Sequence, residues 1–108
     1  MNLNQARKIA LALPEVTEAP HFQSTSFRIG GKIIATVPPG DEYMHIFVPE
    51  EQRELAVATH PDCVEKLWWG EKVAGVRVVL THADAALLKQ LLRDAWIGKA
   101  PKSLIARL

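Results

Sequence analysis

Apolar side chains recur along this chain at two different spacings, and each change of period marks a new element. Near the start, Leu3, Ala6, Ile9, Ala10 and Leu13 follow one another at three- and four-residue steps, which gathers them on one stripe of a helix. Asn2 or Asn4 can cap this helix and Pro14 closes it. From Glu15 to Thr25, prolines and small polar residues dominate. That stretch reads as a connection with a short edge strand around Val16.

The period then becomes two. In SFRIGGKIIATV, Phe27 and Ile29 alternate with Ser26 and Arg28, and a Gly30-Gly31 pair leads into a β-branched run. This is the pattern of a hairpin, because glycine accepts the positive φ of a primed two-residue turn. Ile33, Ala35 and Val37 are then expected on the face of Phe27 and Ile29. After a turn at Pro38 to Asp41, Met44, Ile46 and Val48 alternate with Tyr43, His45 and Phe47, the first set directed toward the helices. Pro49 fits the first position of a second helix, Glu50 and Glu51 suit the positive end of its dipole, and His60-Pro61 ends it.

Two more strands are predicted at Glu65 to Trp69 and Val76 to Leu80, joined by Gly70 to Gly75. Thr81, three residues before Asp84, resembles a capping signal for a long helix. Its apolar face is Leu88, Leu91, Leu92, Ala95 and Trp96, and Gly98 and Pro101 stop it. Ser103 to Leu108 can add one short terminal turn.

The predicted order is α-β-β-β-α-β-β-α, and short links between neighbouring strands argue for an α+β fold: a two-layer α/β sandwich on an antiparallel sheet. So few helices cover only one sheet face. The other face, carrying Arg28, Ile34, Thr36, Tyr43, His45 and Phe47, is left half open. It is the leading surface for partner contact.

Length and composition narrow the class. A chain of 108 residues has material for one core, so a single domain over residues 1–108 is expected. With 48% hydrophobic and 23% charged residues it is an ordinary globular chain. No apolar run approaches the ~20 residues that span a bilayer, and the N-terminal stretch has charges within its amphipathic pattern. No signal peptide, membrane anchor or membrane partner is expected. Cys63 is the single cysteine, which rules out an internal disulfide and a thiolate zinc knuckle and leads to a cytoplasmic expectation.

Net charge is only +1, against strong counterion-release binding. Its distribution is uneven. Residues 41–71 hold eight acids against Arg53 and Lys66, a balance of −6, whereas 89–108 hold five cations against Asp94, a balance of +4. An anion would favour the C-terminal segment.

The candidate chemistry is sparse. His21, Ser24, Ser26, Arg28 and Lys32 lie close in sequence and could present an imidazole, hydroxyls and two cations to an anionic ligand. The same residues also read as a turn histidine and solvated strand cations, which is the favoured alternative. Hydrolysis needs a carboxylate to orient the base, and Glu18 is the one acid nearby. His21, His45, His60 and His82 are too dispersed for zinc spacing, so no metal and no cofactor are expected.

Tyr43 and His45 on the open face could stack on bases or a peptide, or simply form a partly covered face. Of Trp68 and Trp69, adjacent on a strand, one should enter the core and the other reach a surface as an anchor or an edge cover; Trp69 is retained as a site candidate. Trp96 reads as core. Arg93, Lys99 and Lys102 can contact phosphate, or complement a helix C-terminus. Cys63 lacks an adjacent activating cation other than Lys66 and is read as inert.

The run HFQSTSFRIGGKIIATV, the later tryptophans, the ending DAWIGKAPKSL and the order of elements resemble the MmcQ/YjbR-like family across nearly the whole chain. His21, Phe22, Ser26, Phe27, Arg28, Gly31 and Lys32 match its pattern, as do Ala100, Pro101 and Lys102 at the end. Gln23 stands where that family has glycine and Thr25 where it has proline. The resemblance implies a compact α/β fold similar to secretion-chaperone and frataxin-like sandwiches, a DNA-binding label with a double-wing motif, and no established enzymatic activity. Three functions are therefore carried forward for a monomeric chain. These are a non-enzymatic module binding DNA, a protein- or peptide-interaction module, and a small-anion-binding protein centred on His21, Arg28 and Lys32.

Overall fold

The first helix, α1 (Leu3–Leu11), begins with a reciprocal cap. The Asn2 side chain accepts the Gln5 N–H at 2.9 Å, and Gln5 Oε1 accepts the Asn2 N–H at 2.9 Å, so two otherwise orphaned donors are satisfied. The computed structural model describes residues 1–107. Its further elements in chain order are β1 (Thr17–His21), β2 (Ser24–Ile29), β3 (Lys32–Val37), β4 (Tyr43–Ile46), α2 (Glu50–Thr59), β5 (Val64–Trp69), β6 (Lys72–Val79), a 3-10 turn over Leu80–His82, α3 (Ala85–Lys99) and α4 (Lys102–Ile105).

The strands form one antiparallel sheet in the order β1-β2-β3-β4-β6-β5. α3 lies on β3 and β4, α2 on β5 and β6, and α1 packs on α3. The result is an α+β two-layer sandwich, as the sequence predicts. Between the layers sit Phe27, Ile34, Met44, Ile46, Val76, Val78, Leu88, Leu92 and Trp96, all fully buried. Trp96 Nε1–H donates to Pro14 O at 3.0 Å, so the one polar atom of the largest core side chain has its partner.

Several expectations are corrected. The edge strand expected around Val16 is β1, which starts one residue later, runs five residues and pairs with β2, so four strands rather than three precede α2 and the order is α-β-β-β-β-α-β-β-α-α. The β2–β3 hairpin forms around Gly30 and Gly31, both at positive φ, but it carries a bulge. Phe27 pairs with Ala35 and Arg28 with Ile33, so Ile34 is the extra residue. A bulge puts two successive side chains on one side, and Ile34 and Ala35 are indeed both 0% exposed. Ile34 is therefore core and Ile33 takes the open face, the reverse of strict alternation.

The link between β5 and β6 is also shorter than predicted. It is the pair Gly70-Glu71, with Gly70 at φ 63°, and β6 begins at Lys72 rather than Val76. Gly75 belongs to the strand, paired with Leu67, and the β4 backbone passes close by it: a Cβ there would lie 2.9 Å from Phe47 Cα. Neither Trp68 nor Trp69 enters the core; they are 57% and 62% exposed.

At the long helix, Asp84 rather than Thr81 is the cap, its carboxylate accepting the Leu87 N–H at 2.8 Å. The helix continues through Gly98, which lies against Pro49, to Lys99. Pro49 itself is the extended residue before α2 rather than its first turn. α4 supplies the short terminal turn; the part of that expectation that falls on Leu108 lies outside the described residues. Among the described residues no helix is long and apolar enough to cross a membrane.

Candidate functional site

Because the helices cover one side, strand alternation sends a second set of side chains to the other. Pairing across five strands aligns Ser26, Thr36, His45, Arg77 and Glu65 in a single row. Each is held differently. Ser26 is fully buried; its hydroxyl donates to Ala19 O at 2.8 Å and accepts from Arg28 Nε at 3.0 Å. The Arg28 guanidinium also reaches His21, with Nη2 and Nδ1 3.3 Å apart.

At the other end of the row, the Arg77 guanidinium lies 3.8 Å from the centre of the Tyr43 ring, a cation–π contact. Its Nε is 3.2 Å from Glu65 Oε1, but the N–H is misaligned for a hydrogen bond and the buried Nε has no acceptor. This contact is thus electrostatic attraction without a hydrogen bond. Between the two arginines, His45 is half-buried, and burial first, then the Arg77 charge, hold its pKa below the usual histidine value.

A hollow of about 730 Å³ opens on this face. His21, Ser24, Thr36, His45, Lys72 and Lys99 give it polar and basic walls, and Ile33, Phe47, Trp69, Val73 and Ala74 give it apolar ones. No carboxylate is among these described lining residues. Trp69 leans on Phe47 in a tilted contact, with ring centroids 5.2 Å apart and an angle of 56°, while most of its side chain meets solvent.

The sequence candidates divide accordingly. His21, His45, Trp69 and Lys99 meet at the hollow, and Arg28 joins them through His21. Tyr43 lies on the same face, bound up with Arg77. Lys32 does not join. It is exposed and sits opposite Ile29 beside the Gly30-Gly31 turn, whereas His21 lies opposite Ser24 at the far end of β2. Arg93 lines a separate, smaller hollow with Ile9, Leu13 and Lys89 between α1 and α3. Lys102 is exposed at the start of α4. The basic C-terminal run is therefore not one patch, and only Lys99 reaches the open face.

Glu18 does not orient His21; its carboxylate instead accepts Arg7 Nε–H at 2.8 Å. Cys63 is buried, and burial together with Asp62 and Asp84 pushes its thiol pKa up. Among the described residues no three His, Cys, Asp or Glu side chains cluster as metal ligands.

Sequence reading missed Lys72 and Arg77 as partners of this surface. Reading Gly70-Glu71 as a two-residue hairpin turn would have found Lys72, because it then stands opposite Trp69. Arg77 was legible only as a strand cation; its place beside His45 and Tyr43 depends on which strand lies next to β4.

A model of the family described as YjbR matches residues 11–97. The chain belongs to the YjbR family. Within this YjbR domain the matched span begins at the end of α1 and ends in α3, so it includes the whole sheet and every lining residue of the hollow except Lys99. The fold is also that of a crystal structure of the Deinococcus radiodurans protein DR2400, which carries a DUF419 domain. The TM-score is 0.77 at 22% identity, covering 94% of this YjbR chain and 80% of the other. No curated protein matches.

Proposed function

We propose that this YjbR domain is a non-enzymatic binding module that takes DNA on the open face of its sheet. One observation carries the reading: a hollow walled by Lys72, Lys99, His21 and His45, free of carboxylates among its described lining, lies beside a tryptophan ring supported on Phe47. Lysines attract phosphate as point charges, and an exposed indole offers a stacking platform to a base. The DNA-binding label that the family carries agrees with this reading. With a net charge of +1, attraction must come from this local arrangement rather than from the whole molecule.

The test is a salt titration of fluorescently labelled duplex and single-stranded DNA against the protein, with tryptophan emission followed in parallel. Two lysine–phosphate contacts correspond to a slope of log K against log salt of about −2. Lys72→Ala and Lys99→Ala should each weaken binding and reduce that slope by about one. Trp69→Ala should weaken binding with the slope unchanged. Arg93→Ala and Lys102→Ala, away from the hollow, should leave affinity nearly as it was. Absent binding, or binding independent of salt, overturns the proposal.

A further inference from the structure

The two free edges of the sheet differ in a way that bears on partners. β1 is guarded: it holds Pro20, which has no N–H to offer, and its Glu18 is tied to Arg7. β5 is not. It runs six residues, Val64–Trp69, with no proline. The Val79 N–H donates to Cys63 O at 2.9 Å, which sets the alternation along the strand. Cys63, Glu65 and Leu67 turn their backbone groups toward β6, while Lys66 and Trp68 turn theirs to the free edge.

Beside this edge lies a hollow of about 670 Å³, with apolar walls that include Val57, Pro61 and Trp68 and a charged side formed by Glu65, Lys66 and Arg77, whose cations are engaged in ion pairs with Glu54 and Glu65. Asp62 and Glu71 bracket the strand. Both are exposed, and neither is in an ion pair among the described residues.

We propose that the β5 edge accepts an extended basic peptide segment as a seventh, antiparallel strand. The backbone of Lys66 and Trp68 supplies the hydrogen bonds. Alternate apolar side chains of the peptide pack toward Trp68, Val57 and Pro61, and a cation at each end meets Asp62 and Glu71. At ~3.3 Å per residue the six-residue strand spans about 20 Å, with Asp62 in the turn before it and Glu71 in the turn after it, so the peptide's cations flank a stretch of about six to eight residues.

Charge also decides against a second copy of the chain. Antiparallel pairing of β5 with itself would set Asp62 of one molecule near Glu71 of the other at both ends, and like charges opposed across strands repel. The inference does not depend on what the open face holds.

The experiment uses the full chain and two synthetic peptides of about ten residues with alternating valine and threonine, one ending in lysine and arginine at both ends, its twin in glutamate. Tryptophan fluorescence reports binding and hydrogen exchange reports the amides. The basic peptide should bind and slow exchange at Lys66 and Trp68, and the acidic twin should bind at least about tenfold more weakly. The double variant Asp62→Lys, Glu71→Lys should reverse that preference.

Lys66→Pro removes an N–H that is not part of the sheet ladder, so it should abolish peptide binding while the thermal transition is retained. Equal binding of both peptides, or no protection of β5 by either, overturns the proposal. Protection of β5 that rises with protein concentration in the absence of peptide overturns it in favour of self-association.

Discussion

His45 on β4 stands directly opposite Arg77 on β6, and the two share the open face with no carboxylate between them. Burial and the neighbouring guanidinium both penalise the imidazolium, so the folded protein holds His45 with a pKa below the 6.5 of a free histidine. The unfolded chain therefore binds the proton more readily. The resulting stability is fully present above about pH 6.5 and is lost as pH falls toward the lower, folded pKa. Chemical denaturation across pH 5 to 8 should show this decline, and His45→Gln should flatten it.

Gly75 is required by close approach rather than by turn geometry. A Cβ there would meet the β4 backbone at Ile46 and Phe47, and a backbone neighbour cannot rotate aside. Gly75→Ala should cost about 3 kcal/mol in urea unfolding, at the upper end of the range for overpacked sites. Gly70→Ala meets nothing in space and should cost only the strain of a positive φ, about 1 kcal/mol.

The bulge in β3 gives an asymmetric pair of substitutions. Ile34 is fully buried and Ile33 half-exposed on the open face. Ile34→Ala should lose about 3 kcal/mol. Ile33→Ala should lose about 1 kcal/mol or less. Thermal melts of the two variants distinguish the bulged register from strict alternation, which would give the opposite order.

Ser26 is the fully buried polar side chain at the head of the cross-strand row. Ser26→Ala removes the donor to Ala19 O and the acceptor of Arg28 Nε, so it should destabilise by about 1 to 3 kcal/mol. It should also loosen the Arg28 guanidinium from its place near His21. Nitrogen-15 spectra of the arginine side chains would register that as a sharpened Arg28 Nε signal.

Along this chain, what the sequence determined by itself was the kind and order of most elements. Leu3, Ala6 and Ala10 at helical steps, Met44, Ile46 and Val48 at period two, and the Gly30-Gly31 turn are local signals, each fixed by residues within one or two turns of chain. The open sheet face followed from counting too few helices to cover both sides. The errors fell where a distant segment decides. Ile34 is core because β2 opposite it skips a residue. Gly75 belongs to a strand because Leu67 of β5 pairs with it. Trp68 and Trp69 stay exposed because β5 is an edge of the sheet.

The site divides in the same way. His21, His45, Trp69 and Lys99 come from β1, β4, β5 and the end of α3, and chain spacing alone could not say that they meet while Lys32, Arg93 and Lys102 do not. Strand order in a sheet is set by long-range pairing and burial, energies that no local window contains. The sequence therefore named the surface, and only the tertiary structure chose which cations and rings share it.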